Sequence, residues 1–529
     1  MTWPLVLHLS TDASQETYDT PFQTWQIAWI GHALLHHPLN LFQSNTYWPD
    51  KDSLAFSDAL LGYAPAGMIA AQGPHAALAV HNLLVIFANA LAFLGAYLLA
   101  RELGAPRWGG LAAGAAFAYA PWRLVQTGHL HVISGGGVPL SLYLLLRGYR
   151  RGSCRLIVSG WLVATWQMTL GFTLGLQFVY LLPVLALLAA AEWWRLGKPR
   201  PRRSVVATTI AGVAVFAAVT ALVAQPYLRV LHNHPESRKT ETEVTHFSPP
   251  MRAFLAAPNI DWLWSGPTTH WRNSVHAPGE DWLFPGVTVV GLALLGLAGG
   301  AYSRRLRLGL AAGTILCWFL SQGLPGEEQP THGFSLYRLL YDYGPGWDGV
   351  RTPGRINMLT SLGLALLAAA GVAFLQRHVR RLEGRVAPLA ASFAVVGGIL
   401  AEGVGPLPHP RLAPPPAGAA AAPSPQLHLP ADFNSDPLYV YWSTDGFPRI
   451  LNGVGSFSPS LYNQILGEAA TFPDASSVAY FRSLGVKSVV MQLDRTEDSN
   501  WKDAPSRPIE GLGITRHDEG NLAVYDLNP

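Results

Sequence analysis

Apolar residues gather in ten long stretches divided by polar gaps, at 79–101, 107–121, 131–147, 155–171, 173–192, 204–224, 285–302, 307–323, 356–375 and 387–404. Runs of this kind predict helices that cross about 30 Å of hydrocarbon. A shorter apolar piece, Met1 to Ser10, reads as the last turns of one more membrane helix, from a misplaced start or a truncated first span. The pattern therefore predicts a polytopic α-helical membrane protein of about 10–11 spans.

Basic residues mark alternate gaps. They are Arg101 with Arg107; Arg147, Arg150, Arg151 and Arg155; Arg195, Lys198, Arg200, Arg202 and Arg203; Arg304, Arg305 and Arg307; and Arg377, Arg380, Arg381 and Arg385. The positive-inside rule places these gaps in the cytoplasm, and the loops between them outside. Residues 12–78 then form a first outer loop. Its apolar pieces 20–37 and 54–72 read as helices lying along the outer face, because residues 12–53 hold no arginine and only one lysine, Lys51. Residues 225–284 and 324–355 are the other large outer loops.

Beyond 404 the pattern changes. Residues 405–425 are rich in Pro and Ala and read as a linker. Residues 426–529 predict a small extracytoplasmic α/β domain. Its strands are read at 437–441 and 486–491, with a helix at 475–484 ended by Gly485.

Composition agrees with the membrane reading. Of 529 residues, 50% are hydrophobic and 13% charged, against about 25% charged in soluble domains. Eighteen tryptophans and eighteen tyrosines suit long membrane–water interfaces. A net charge of +3 with clustered arginines is a topology signal and excludes a nucleic-acid footprint. Cys154 and Cys317 fall beside or within spans and imply no disulfide framework. The N-terminus lacks the basic region and cleavage site of a signal peptide.

The stretch Tyr18-Asp19-Thr20-Pro21-Phe22-Gln23-Thr24-Trp25 places a carboxylate directly before an amphipathic aromatic run in the first outer loop. Asp19 has two readings. It caps the helix that starts near Pro21, or it is a general base at the membrane surface.

Several strings, in order along the chain, resemble the GT-C superfamily of membrane glycosyltransferases, in its bacterial YfhO-like and mannosyltransferase-like branch. They are Asp19 with Trp25 and Trp29; His32-Ala33-Leu34-Leu35; Asn45-Thr46-Tyr47-Trp48-Pro49; Ala120-Pro121-Trp122-Arg123 with Gly128-His129-Leu130; Leu283-Phe284-Pro285-Gly286; Val350-Arg351-Thr352-Pro353-Gly354-Arg355; and Leu451-Asn452-Gly453-Val454-Gly455-Ser456-Phe457. The resemblance implies a multi-pass protein of the plasma membrane, serving the cell envelope. Such an enzyme takes a sugar from a polyprenyl-phosphate carrier in the bilayer and passes it, with inversion, to an acceptor at the outer face. It implies acids in the first outer loop: Asp19 matches that position, and Asp58 is the second.

The reaction needs a base for the acceptor hydroxyl and donors for the departing lipid phosphate. Arg351 and Arg355 are the first phosphate candidates, because arginine forks suit phosphate oxygens; interfacial anchoring is the rival reading. Arg123 and His129 join them, with snorkelling as the alternative for Arg123. Glu280 and Asp281 are acceptor-side candidates or a solvated acidic pair. A divalent metal is not indicated, since His129, His131, His8, His32, His36 and His37 match no zinc spacing. Two other classes stay open. One is a catalytically inactive GT-C scaffold. The other is a transporter of an envelope precursor, disfavoured because the clearest acid near a span, Glu402, lies at its outer end.

Overall fold

The computed structural model describes residues 3–197, 202–326, 335–383 and 387–528. Lys198, Arg200 and Arg385 of the basic clusters lie outside the described residues. The chain is mostly helical, with one small sheet near its C-terminal end.

The outer-loop helix is α1 (Asp19–His36). Residues 54–72 are not one helix: two 3-10 turns, Ser53–Phe56 and Leu61–Tyr63, precede α2 (Ala64–Ala70). Pro65 sits in the first turn of α2, where its missing N–H costs nothing, so a helix starts there instead of running through.

Every apolar stretch from residue 79 onward is helical. The first four give α3 (Pro74–Leu103), α4 (Arg107–Ala118), a broken pair α5 (Leu130–Ile133) and α6 (Gly137–Arg151), and α7 (Cys154–Met168). Next come α8 (Phe172–Arg195) and α9 (Arg203–Asn233). Two short helices follow, α10 (Glu241–His246) and α11 (Thr269–Arg272), then α12 (Val287–Ala298), α13 (Arg304–Ser321), the amphipathic α14 (Leu336–Tyr343), α15 (Asn357–Glu383) and α16 (Ala387–Glu402). Five helical stretches among the described residues are long and apolar enough to cross a membrane: Pro74–Leu103, Leu130–Arg151, Phe172–Arg195, Arg203–Asn233 and Pro353–Arg380. Helices α4 and α12 have only 12 residues each, about 18 Å of helix against about 30 Å of hydrocarbon.

The described chain divides into two compact units. The first holds Val85–Val223 and Lys239–Leu407; the second holds Thr2–Leu84, Ala224–Arg238 and Pro408–Pro529.

Small residues build the first unit. Ala112, Ala113, Ala115 and Ala116 of α4 and Ala365, Ala368, Ala369 and Ala370 of α15 are buried in one core. Helices α12 and α15 cross at Gly296 and Gly371. A Cβ on Gly371 would stand 1.9 Å from the Leu292 carbonyl oxygen, so only glycine permits this approach. Gly135 and Gly136 separate α5 from α6, and a Cβ on Gly136 would lie 2.5 Å from the Ala92 nitrogen of α3.

The second unit contains the sheet. Strand β1 (Gln426–Leu429) pairs parallel with β2 (Ser488–Gln492); β4 (Leu522–Asp526) pairs antiparallel with β2 and with the edge strand β3 (Thr515–Glu519). Helices α17 (Asp436–Trp442), α18 (Ser460–Ala469) and α19 (Ala475–Leu484) complete it. The segment read as a strand at 437–441 is α17. Asp432 Oδ1 accepts from the backbone of Asn434 and Ser435, and Pro437 sits in the first turn, so the local signals start a helix. Helix α19 has the expected bounds, with an Asp474–Ser477 capping box and a left-handed Gly485. Tyr47 and Phe56 of the first loop share one core with Leu427, Val489, Met491, Phe481 and Tyr525.

Candidate active site

Three of the sequence strings converge in the first unit. Pro121 opens a 3-10 turn, Pro121–Arg123. The backbone N–H of Trp122 donates to the Phe284 carbonyl at 3.3 Å, and Gln126 Nε2 donates to the Gly279 carbonyl at 3.3 Å. These bonds hold the 121–134 segment against the loop carrying Glu280. The third string ends in a 3-10 turn, Pro353–Ile356, that runs into α15 and presents Arg355.

Arg355 joins all three. Its NH2 donates to Glu280 Oε1 at 2.6 Å, its Nε lies 3.4 Å from Oε2, and NH1 meets His131 Nε2 at 2.9 Å. The two charged side chains keep 12% and 15% of their exposure, so the pair is largely dry. Burial pushes the Glu280 carboxyl up. The charges of Arg355, His129 and Arg351, with the Arg355 hydrogen bond, outweigh burial and hold it well below the usual carboxylate range. The His129 ring lies 5.8 Å from that of His131, edge to face. The Arg351 guanidinium stacks on Phe247, 4.8 Å from the ring centroid. Lys239 is buried beside Glu243 at 3.3 Å; burial lowers its ammonium, Glu243 opposes this, and Arg351 lowers it further. One end of the unit thus gathers Arg355, Arg351 and Lys239 with the carboxylates of Glu280 and Glu243.

Asp281 is chemically unlike its neighbour. It is buried, and its Oδ2 accepts from the Ala277 backbone at 3.0 Å. Burial raises its carboxyl to about 6; hydrogen bonds from the Ala277 and His276 backbones oppose this, and the Glu280 charge adds to it. The solvated-pair reading of Glu280 and Asp281 therefore fails: one is an ion-pair partner and the other a buried turn residue.

Arg123 does not snorkel. It is 1% exposed, its guanidinium near the rings of Trp122 (5.6 Å) and Phe117 (6.0 Å). NH2 donates to Asn89 Oδ1 at 3.2 Å and to the Ile133 carbonyl at 2.9 Å.

Asp19 and Asp58 lie in the second unit. Asp19 is the first residue of α1 and is half-buried. The capping role falls to Glu16, whose carboxylate accepts from the backbone N–H groups of Tyr18, Asp19 (2.8 Å) and Thr20 (3.0 Å). The Asp58 carbonyl accepts from Gln26 Nε2 at 2.9 Å, roughly 10 Å along α1 from Asp19. Two further strings meet in this unit: the Tyr47 N–H donates to the Asn452 carbonyl at 3.2 Å, the Trp48 N–H to the Ile450 carbonyl at 3.0 Å, and the Ile450 N–H to the Asn45 carbonyl at 2.8 Å. Trp25 Nε1 donates to Asn45 Oδ1 at 2.9 Å. Sequence reasoning counted Glu16 only as one more acid of the first loop, missed Asn89, and weighed His131 only as a metal ligand or polar anchor. Among the described residues no three His, Cys, Asp or Glu side chains converge to hold a metal ion.

Among solved structures the chain is similar to the arabinofuranosyltransferase AftD from Mycobacteria, at 14% identity and a TM-score of 0.58, over 99% of this chain and 39% of that one. The fold is the GT-C fold. The chain spans about two fifths of the length of AftD. Lesser similarity links it to an oligosaccharyltransferase from Archaeoglobus fulgidus (12% identity, TM-score 0.46, 98% of this chain and 71% of that one). ArnT from Cupriavidus metallidurans shows 13% identity and a TM-score of 0.36, over 98% and 95%. No protein-family model matches the chain, and a search of curated proteins finds no match. In GT-C terms, the arginine-bearing turns all lie in the helical part, and the candidate base lies in the unit that carries the sheet.

Proposed function

We propose that the chain is an integral membrane glycosyltransferase. It moves a sugar from a polyprenyl-phosphate carrier to an acceptor at the outer face, with Asp19 as general base. The observation that carries this reading is the cluster around Glu280 just ahead of an apolar helix: Arg355, Arg351 and His129 act on its carboxylate, and the His131 ring nitrogen accepts from Arg355. A guanidinium in a largely dry site is suited to the oxygens of a lipid phosphate. The fold shared with an arabinofuranosyltransferase supports glycosyl transfer as the chemistry.

In this reaction the acceptor hydroxyl gives its proton to Asp19 as its oxygen attacks the anomeric carbon. The bond from that carbon to the phosphate oxygen breaks, and the lipid phosphate leaves with the electron pair. Arginine donors stabilise the charge that develops on the phosphate. Helix capping does not fall to Asp19, because Glu16 satisfies the first N–H groups of α1. The basic clusters at the far helix ends, Arg147 and Arg150 of α6 and Arg304 and Arg305 of α13 among them, support placing the Arg355 end outside.

A non-catalytic GT-C scaffold is the second reading, favoured by one observation: Arg355 already has a carboxylate partner. The two are separated by giving the detergent-purified chain a polyprenyl-phosphate sugar and following release of polyprenyl phosphate. Release that is lost in Asp19→Asn and in Arg355→Gln supports the enzyme. No release from any such donor overturns it in favour of the scaffold.

A further inference from the structure

The two buried arginines of the first unit differ in charge compensation. Arg355 faces Glu280. Arg123 is more deeply buried and faces an amide, Asn89 Oδ1, and a backbone carbonyl, that of Ile133. Among the described residues no carboxylate pairs with it. Its Nε and NH1 are buried donors with no partner, and so is Nε1 of the adjacent Trp122. The Glu280 charge is answered by Arg355, His129 and Arg351, not by Arg123. Burial lowers the guanidinium only to about 10, with the Tyr119 hydroxyl opposing, so it stays charged at neutral pH.

An ionised group taken from water into a protein interior is strongly unfavourable unless a counter-charge meets it. A water molecule can fill the unused donors but cannot supply that charge. Three orphan donors on two consecutive residues, with a positive charge and no acid, match an oxyanion and mismatch a cation or a neutral hydroxyl. Asn89 is the residue that keeps the site in this state. It anchors NH2 through a neutral oxygen, while its own Nδ2 donates back to the Val85 carbonyl at 3.0 Å within α3. An aspartate there would be nearly the same size and would cancel the charge.

We infer that Arg123 and Asn89 form an oxyanion receptor, separate from the Arg355–Glu280 pair, that takes a phosphate-class group. Arg123 binds the anion through Nε and NH1, and Asn89 is the positioning residue that leaves it uncompensated. Only the identity of the anion as a lipid-carrier phosphate rests on the proposed function.

The purified full chain is titrated calorimetrically with inorganic pyrophosphate and, separately, with a short-chain polyprenyl phosphate in micelles. The parent is expected to bind both. Asn89→Asp is expected to weaken both by about ten- to a hundredfold, the scale of a charge-assisted contact. Asn89→Leu removes the neutral anchor of NH2 but adds no charge, so it is expected to weaken both clearly less than Asn89→Asp does. Parent-like binding by Asn89→Asp overturns the inference, and so does an equal loss in Asn89→Leu, which would mean a purely structural role. If Asn89→Asp does not fold, Arg123→Gln takes its place, and parent-like pyrophosphate binding there overturns the receptor. A parent that binds pyrophosphate but no polyprenyl phosphate keeps the receptor and sinks the lipid-carrier reading. A parent that binds neither sinks the receptor.

Discussion

Arg355 and Glu280, 75 residues apart in sequence, meet through a hydrogen bond of 2.6 Å in a site where each side chain is largely shielded from water. Removing either partner leaves a buried charge without its counterpart. Glu280→Gln is therefore expected to lower stability by about 3 kcal/mol, the scale for breaking a buried pair. It should not weaken donor binding, because Arg355 is then unneutralised. Arg355→Gln should weaken donor binding more than it weakens folding. Thermal unfolding in detergent, beside donor titration, checks both; donor affinity lost equally in the two variants would mean the pair acts only as a strut.

The same pair and its neighbour Asp281 set opposite pH dependences. Glu280 is held below its ordinary value, so its stabilisation is complete above about pH 4.3, the ordinary Glu value. It is lost as pH falls further, through its folded value. Asp281 is raised to about 6. Between about pH 3.9, its unfolded value, and pH 6 the unfolded chain releases this proton first. Stability from this group therefore falls as pH rises through that window and is level above it. In Asp281→Asn the downward slope between pH 4 and pH 6 should disappear from the unfolding midpoints. An unchanged slope would place the titration elsewhere.

At the start of α1 the proposed function gives the two neighbouring acids separable duties. Asp19→Asn should leave unfolding unchanged and lower sugar transfer by about a hundredfold or more, the usual scale for a lost general base. Glu16→Ala should do the reverse: about 1 kcal/mol less stability, as for a lost helix cap, with smaller loss of turnover. Transfer at the parent rate by purified Asp19→Asn would remove Asp19 from the chemistry. Asp58→Asn should have the smaller effect of the two aspartates.

The placement of the C-terminal region has its own test. From the alternating basic clusters we predict that everything beyond residue 404 lies outside the cytoplasm. A reporter active only in the cytoplasm, fused to the C-terminal end, should stay silent in cells. A strong signal would reverse the side of every loop.

How much of this was legible from sequence follows from the range of each signal. Apolar runs are local, so the helices that fill the ten apolar stretches were visible, while the short α10, α11, α14 and α18 were not. Gly485 marked the end of α19, whose bounds match the reading. Strand β2 was readable because all five residues are buried and mostly apolar. Strand β3, Thr-Arg-His-Asp-Glu, is an exposed edge with no apolar face, and nothing in it announces a strand. Tyr-Val-Tyr in α17 misled because aromatic and β-branched residues favour strands, while burial on every side of this helix removed the periodic pattern. In the site, Arg355, Glu280 and His131 were each conspicuous, but their meeting spans 75 and 224 residues. Asn89 is one polar residue inside an apolar run, and only the buried Arg123 beside it gives it meaning.

The bonds between Tyr47 and Asn452 and between Asn45 and Ile450 carry a consequence for synthesis. The first loop shares a core with strands made some four hundred residues later. While the ribosome is still producing the helices, Tyr47 and Phe56 have each other but lack the strands that complete their core. Closing so long a loop is slow, and the exposed aromatic surface waits until translation ends. The helical part is finished first, and the unit that carries the candidate base is assembled last. A chain released early, short of β4, would thus carry its arginine turns complete and its first loop unfolded.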